Sequence, residues 1–402
     1  MSADRVLEPP EDLTIPRPGS TTAQVVLSAA LRRLLGDLGA ALSPRSGIVE
    51  LGQAAAARAL RASLAAHPGA VASVLRRADV GAWIRCLRPG CGGVDREATL
   101  RALLAGLTLG LASAGALTGP IRLPAPPRAA SSLAGRAWIE APEGAGAWTI
   151  DNERIAFERG EAVALESVCG REDRFVTLVG DLALVLVDSN PLALVEAHPE
   201  KSGNAVDLGG RPVAAWVASV REALEWIEAV MPALHAELLL FIQAVVPVGF
   251  FAEQHLSASY QEAIGTIYLS LHPQPLTMVE ALIHEFSHNK LNALLELDAV
   301  LANGASAGHR SPVRADPRPL YGVLLAVHAF SAVAGFYEAL VAKDGPEGRD
   351  PAIRRRMTAV VESNHAGLAV LRAQARPTRI GAGLMAELET IDQRHRALVG
   401  AW

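Results

Sequence analysis

From about Thr21 to Leu117 apolar residues recur at three- and four-residue spacing, the period of an amphipathic helix. Residues 25–35 and 70–78 carry the clearest versions, and Pro68-Gly69, Pro89-Gly90 and Gly92-Gly93 break the run into separate helices. Four prolines (Pro120, Pro124, Pro126, Pro127) then fall between positions 120 and 128 and read as a linker. Between Ala137 and about Val206 the period shortens. Runs of β-type residues at 147–150, 154–157, 175–179 and 182–187 are separated by Asp-Asn, Arg-Gly, Gly-Asp and Asp-Ser-Asn-Pro turns. Helical spacing returns at Ala214, where residues 214–240 predict one long helix. Strands are predicted at 240–248 and 263–271, and helices at 277–297, 321–341, 351–373 and 381–398. The expected organisation is a helical N-terminal region (1–120), a β-rich subdomain (121–206) and a metal-binding catalytic domain (207–402).

The chemistry sits in the helix predicted from Thr277. Residues 283–290 read Ile-His-Glu-Phe-Ser-His-Asn-Lys, a single His-Glu-x-x-His motif. Histidines four apart stand one turn apart on one helix face. Such a pair can bind one metal ion, with Glu285 beside a metal-bound water. With only 11 histidines in 402 residues, a chance pair around a glutamate is a poor explanation. The predicted fold class is therefore α+β, mostly helical, with a zincin-like motif helix packed on a small sheet. In that architecture the strand before the metal helix is an edge that can pair with an extended peptide; an ordinary internal strand is the alternative.

Composition narrows the setting. Half the residues are hydrophobic and a fifth charged, with a net charge of −5, which is globular and unlike a general nucleic-acid binder. Cys86, Cys91 and Cys169 form neither a paired zinc knuckle nor a disulfide framework, as expected in a reducing cytoplasm. The N-terminus is polar and proline-rich, so no signal peptide is expected. The apolar stretch 102–117 is broken by glycines and short of the ~20 residues of a spanning helix, so no membrane association is expected. Lysine occurs only at positions 201, 290 and 343, which makes Lys290, two residues after His288, notable.

A catalytic metal takes three protein ligands as a rule. Residues 289–299 lack the glycine and third histidine of metzincins, and neither the Asn-Glu-x-x-Ser-Asp string of gluzincins nor the Gly-Thr-x-Asp string of aspzincins occurs. Glu296 and Asp298 lie two to three turns along the same helix, too far at about 1.5 Å per residue to reach the ion. His309 sits in a polar loop. The candidates for the third ligand are His328, in an otherwise apolar helix where a buried core histidine is the alternative reading, and Glu338 as runner-up. The loop 308–322 carries Arg310, Arg314 and Arg318 at intervals of four, suited to bidentate carboxylate binding. Pro317 and Pro319 brace Arg318, the preferred anion-facing residue.

Leu282-Ile-His-Glu-Phe-Ser-His-Asn-Lys-Leu-Asn, then Ser311-Pro-Val-Arg-Ala-Asp-Pro-Arg-Pro-Leu-Tyr-Gly-Val-Leu, then His328-Ala-Phe together resemble the bacterial HExxH-domain proteins of ribosomally made, modified peptide (RiPP) biosynthesis. The resemblance covers about residues 245–345. Some members of that group are Fe(II)- and 2-oxoglutarate-dependent peptide β-hydroxylases, so the resemblance implies a dioxygenase that hydroxylates a precursor peptide. His284 and His288 would then bind iron, and an arginine of the 310–318 loop the cosubstrate carboxylate. Where relatives often carry Tyr or another residue near position 328, this chain has His. The competing expectation is a zinc metallopeptidase with Glu285 as general base.

Overall fold

The computed structural model describes residues 8–49, 51–195, 203–311, 316–343 and 345–402. Helices α1 (Thr22–Ala41), α2 (Ala54–Ala66), α3 (Pro68–Leu75), α4 (Ala78–Cys86) and α5 (Arg96–Ser113) come first. The turns that separate them are those marked by proline and glycine, and the Asp95 carboxylate caps α5 by accepting the Ala98 amide at 3.0 Å. Short strands follow: β1 (Ile121–Leu123), β2 (Ala129–Ser132), β3 (Ala137–Glu140), β4 (Trp148–Ile150), β5 (Arg154–Phe157), β6 (Val163–Ala164), β7 (Phe175–Val179) and β8 (Leu182–Val185). The helix expected over 214–240 is two helices, α6 (Val213–Val230) and α7 (Pro232–Phe241). Pro232 has no amide hydrogen to continue α6, so it starts a new helix. Strand β9 (Ala244–Phe250) therefore begins later than residue 240, and β10 (Ser257–Ala258) and β11 (Thr266–Leu271) complete the strands. The chain ends in α8 (Pro275–Leu295), α9 (Leu320–Ala342), α10 (Pro346–Arg349), α11 (Pro351–Gln374) and α12 (Arg379–Gly400). The class is α+β and mostly helical.

The chain divides into two compact units. One comprises Leu31–Val217 and Ile242–Leu271, the other Met1–Ala30, Ala218–Phe241 and His272–Trp402. The expected boundary near residue 206 cuts through the first unit, because β9, β10 and β11 belong to one five-stranded sheet with β7 and β8, in the order β10-β11-β9-β8-β7. Strand β9 runs parallel to both β8 and β11, while β10 and β7 are antiparallel to their neighbours. Parallel pairing needs a long crossover, and α6–α7 is the one that carries the chain from β8 to β9. Strand β11 is flanked by β10 and β9, so it is an interior member of the sheet. A second, antiparallel sheet has the order β1-β4-β5-β6, and β2–β3 form a hairpin. The larger core of this unit gathers Trp83, Leu103, Leu107 and Trp148 from the helices and the second sheet.

In the other unit α9 is the centre. It packs against α8, α10, α11 and α12, and its buried positions go round the whole helix, from Leu320 and Val323 to Phe336 and Leu340. Among the described residues it is the one helix long and apolar enough to cross a membrane, a composition that follows from being covered on all sides. The N-terminal segment is fastened to the same bundle. Buried Glu387 of α12 accepts the amides of Leu13 at 3.1 Å and Thr14 at 2.7 Å.

Candidate metal centre

Helix α8 starts at Pro275, placed in the first turn, and runs through the motif without interruption. Ser287 Oγ and Asn289 Nδ2, both buried, donate to the carbonyls of Ile283 (2.7 Å) and Glu285 (2.9 Å) four residues back. Their polar groups are thereby satisfied within the helix itself. Ile283, Phe286 and Leu291 are buried, and Phe286 meets Phe241 of α7 edge to face. The motif face stays partly open: His284 and His288 are half-buried around a buried Glu285.

One metal-capable atom from each of His284, Glu285 and His288 lies within 4.8 Å of the others. Two ligands at about 2.1 Å from a common ion stand no more than about 4.2 Å apart, the same scale as the separations in this group. The imidazoles meet at right angles with centroids 4.3 Å apart, and Phe330 of α9 holds His284 with centroids 4.6 Å apart. Burial pushes the His288 pKa below its ordinary value, against the pull of Glu285. A neutral imidazole is the form that binds metal. His288 Nδ1 is buried with no hydrogen-bond partner among the described residues. The three side chains form a group that could hold a metal ion.

His328 is fully buried on α9, and neither of its ring nitrogens has a hydrogen-bond partner among the described residues. Burial, then the charges of Lys290 and His288, hold its pKa well below the usual histidine range. It is a neutral donor within electrostatic reach of His288 but outside the compact three-residue group. Glu338, the alternative third ligand, points elsewhere. Arg394 of α12 grips its carboxylate at 2.8 Å and His395 lies 3.2 Å from it. Burial works against that carboxylate, but His395 and Arg394 keep its pKa below the usual value. The helix thus turns Glu338 toward α12, and it does not join the centre.

The two ends of the arginine loop are paired by reciprocal backbone bonds between His309 and Arg318 (3.0 and 2.8 Å). Arg318 Nε stands 3.0 Å from Asp316 Oδ2 of the same loop. Arg310 is exposed, and Arg314 lies outside the described residues. Among the described residues the partners of Arg318 lie in its own loop.

Glu280 escaped the sequence reading, and so did the partner of Lys290. Glu280 lies one turn before His284, and its carboxylate is held by Arg356 of α11 (2.8 and 2.5 Å) and by the Tyr337 hydroxyl of α9. The spacing 280, 284, 288 was the available signal. Lys290, fully buried, donates to Glu237 of α7 at 2.6 Å, and its ammonium lies 4.9 Å from the Phe286 ring centroid. A lone glutamate within the apolar run 232–241 was the trace of that pair. No family model and no curated protein matches the chain, so any assignment rests on these residues.

Proposed function

We propose that the chain is a metal-dependent peptide-modifying enzyme, an Fe(II)- and 2-oxoglutarate-dependent hydroxylase of a ribosomally made precursor peptide in the cytoplasm. The observation that carries the metal-dependent part is the meeting of half-buried His284 and His288 with buried Glu285 on one face of α8. The choice of oxygenase rests on the resemblance over residues 245–345. It is supported by His328, buried with neither ring nitrogen hydrogen-bonded among the described residues, since two histidines and a third ligand leave positions for a bidentate cosubstrate on an octahedral iron. Iron and 2-oxoglutarate, when bound, supply the chemistry by which O₂ turns a C–H bond into C–OH while 2-oxoglutarate becomes succinate and CO₂. In this reading His284, His288 and His328 hold the metal. Glu285 orders water on the same face. Arg318 exchanges Asp316 for the cosubstrate carboxylate, with Arg310 and Arg314 of the same loop as the other cations.

A zinc metallopeptidase is the second reading. The placement of Glu285 beside both imidazoles favours it, because a carboxylate there can take the proton of a metal-bound water. Anaerobic reconstitution with Fe(II), then air, 2-oxoglutarate and the candidate peptide, separates the two. Succinate and a peptide heavier by one oxygen atom are expected; peptide cleavage with Zn(II) alone refutes the oxygenase. His284→Ala with His288→Ala is expected to remove stoichiometric metal from a folded chain, and a full equivalent retained refutes the centre itself.

A further inference from the structure

The unit made of Leu31–Val217 and Ile242–Leu271 holds a cavity of about 190 Å³ that opens to solvent beside Gly170 and Asp181. At about 30 Å³ per water it has room for roughly six waters, or for a carboxylate with a few attached heavy atoms. Two arginines line it, Arg77 and Arg136.

The walls are tied in place. Arg77 lies between two residues that one buried side chain anchors: Gln243 donates to the Arg76 carbonyl at 2.9 Å and accepts the Ala78 amide at 3.1 Å. Across the cavity the β2–β3 turn is held by the buried Asp79 carboxylate, which accepts the Leu133 amide at 2.8 Å. It is held again by the amides of Gly170 and Arg171, which donate to the carbonyls of Gly135 (3.1 Å) and Arg136 (3.0 Å). Gly135 has to be glycine, since a Cβ there would stand 2.4 Å from Ser113 Oγ. Arg136 takes a left-handed conformation (φ 45°), a backbone strain that persists only where the surroundings enforce it. Its guanidinium is spoken for by Glu172 at 2.9 Å and by Thr177.

Arg77 is different. Its side chain is 16% exposed, its Nε is buried with no hydrogen-bond partner among the described residues, and its ion pair to Asp181 is 3.3 Å long, while its charge also acts on the buried Asp79 carboxylate. Asp181 is half exposed on the β7–β8 turn. A carboxylate on a solvent-facing turn gives little binding energy to such a pair, so an incoming carboxylate can displace it. The amides of Ala134 and Gly135, also in the lining, have no acceptor among the described residues and are spare donors of the kind that turns use to bind anions.

We propose that this cavity binds a ligand carboxylate, from a peptide terminus or an acidic side chain, with Arg77 as anchor and Asp181 as the resident carboxylate that the ligand displaces. The site does not depend on the metal centre.

The test is calorimetric titration of the full chain with N-acetylglycine (a terminal carboxylate) and N-acetyl-aspartic acid α-amide (a side-chain carboxylate), with N-acetylglycinamide as the neutral control and inorganic phosphate as the competing anion. At least one carboxylate probe is expected to bind while the neutral control does not. Arg77→Gln should weaken binding about tenfold or more, the worth of one charge-assisted hydrogen bond. Asp181→Asn should strengthen it, an effect that a merely structural role for the pair does not produce. His284→Ala should leave it unchanged. Phosphate binding more tightly than both probes, or Asp181→Asn failing to strengthen binding, overturns the proposal. Asp181 lies on an exposed turn, so that arm stands even if Arg77→Gln fails to fold.

Discussion

Replacing Lys290 by Met tests the physics beneath the metal helix. Lys290 is fully buried on α8, and its ammonium donates to Glu237 Oε2 at 2.6 Å. Glu237 Oε1 has no partner among the described residues. Burial raises the Glu237 pKa and Lys290 works against that rise. Lys290 does the same for Glu387, whose carboxylate fastens the amides of Leu13 and Thr14. Removing the one ammonium thus leaves a nearly buried carboxylate without compensation, and such half-broken pairs cost about 3–5 kcal/mol. Removing both charges is another matter. Lys290→Met with Glu237→Leu keeps the volume and avoids the desolvation of two ions, which is commonly neutral or stabilising by about 1–4 kcal/mol. Urea denaturation of the wild type, both single variants and the double variant closes a double-mutant cycle. The expected coupling is above about 3 kcal/mol. Lys290→Met within about 1 kcal/mol of wild type refutes the reasoning, and it would show that Glu237 relaxes to water or another donor.

Glu285→Gln separates the two chemistries: a hydrolase loses nearly all turnover with its metal retained, whereas an oxygenase keeps its requirement for Fe(II), as read from product mass. Burial raises the Asp79 pKa to about 6 against 3.8 for the free group, so the folded state takes up its proton first. Its contribution to stability is therefore fully present below pH 3.8 and is lost as pH rises through 6, about 3 kcal/mol in all at 1.36 kcal/mol per unit. Asp79→Asn should flatten the rise in urea midpoint between pH 7.5 and pH 5, and an unchanged pH dependence refutes the assignment. A Cβ on Gly381 would stand 1.8 Å from the Val300 carbonyl oxygen, so Gly381→Ala is expected to cost at least about 2 kcal/mol; a wild-type urea midpoint contradicts the packing of α12 on that loop.

Local spacing carried a good part of this protein. The period of apolar residues located the helices around 25–35 and 351–373, and proline and glycine marked where one helix gave way to the next. Those signals are local because hydrogen bonds within a helix join residues four apart. The same locality made the donor set of His284, Glu285 and His288 legible, since one turn of helix is enough to bring them together. Tertiary structure decided what depends on distant partners. Met231-Pro232 split a helix that hydrophobic spacing alone would have continued. Strand β9 joined β8 across the length of α6 and α7, a pairing that no short window contains. Glu338 was turned to Arg394 and His395 by the position of α12, and His328 was left without a hydrogen-bond partner among the described residues, its pKa held low by burial. A side chain's type states which bonds it can make; which ones it does make is set by burial and by neighbours far away in the chain. For that reason two candidate ligands could be read from five residues of sequence, while the surroundings of the third candidate depended on the packing of an entire bundle.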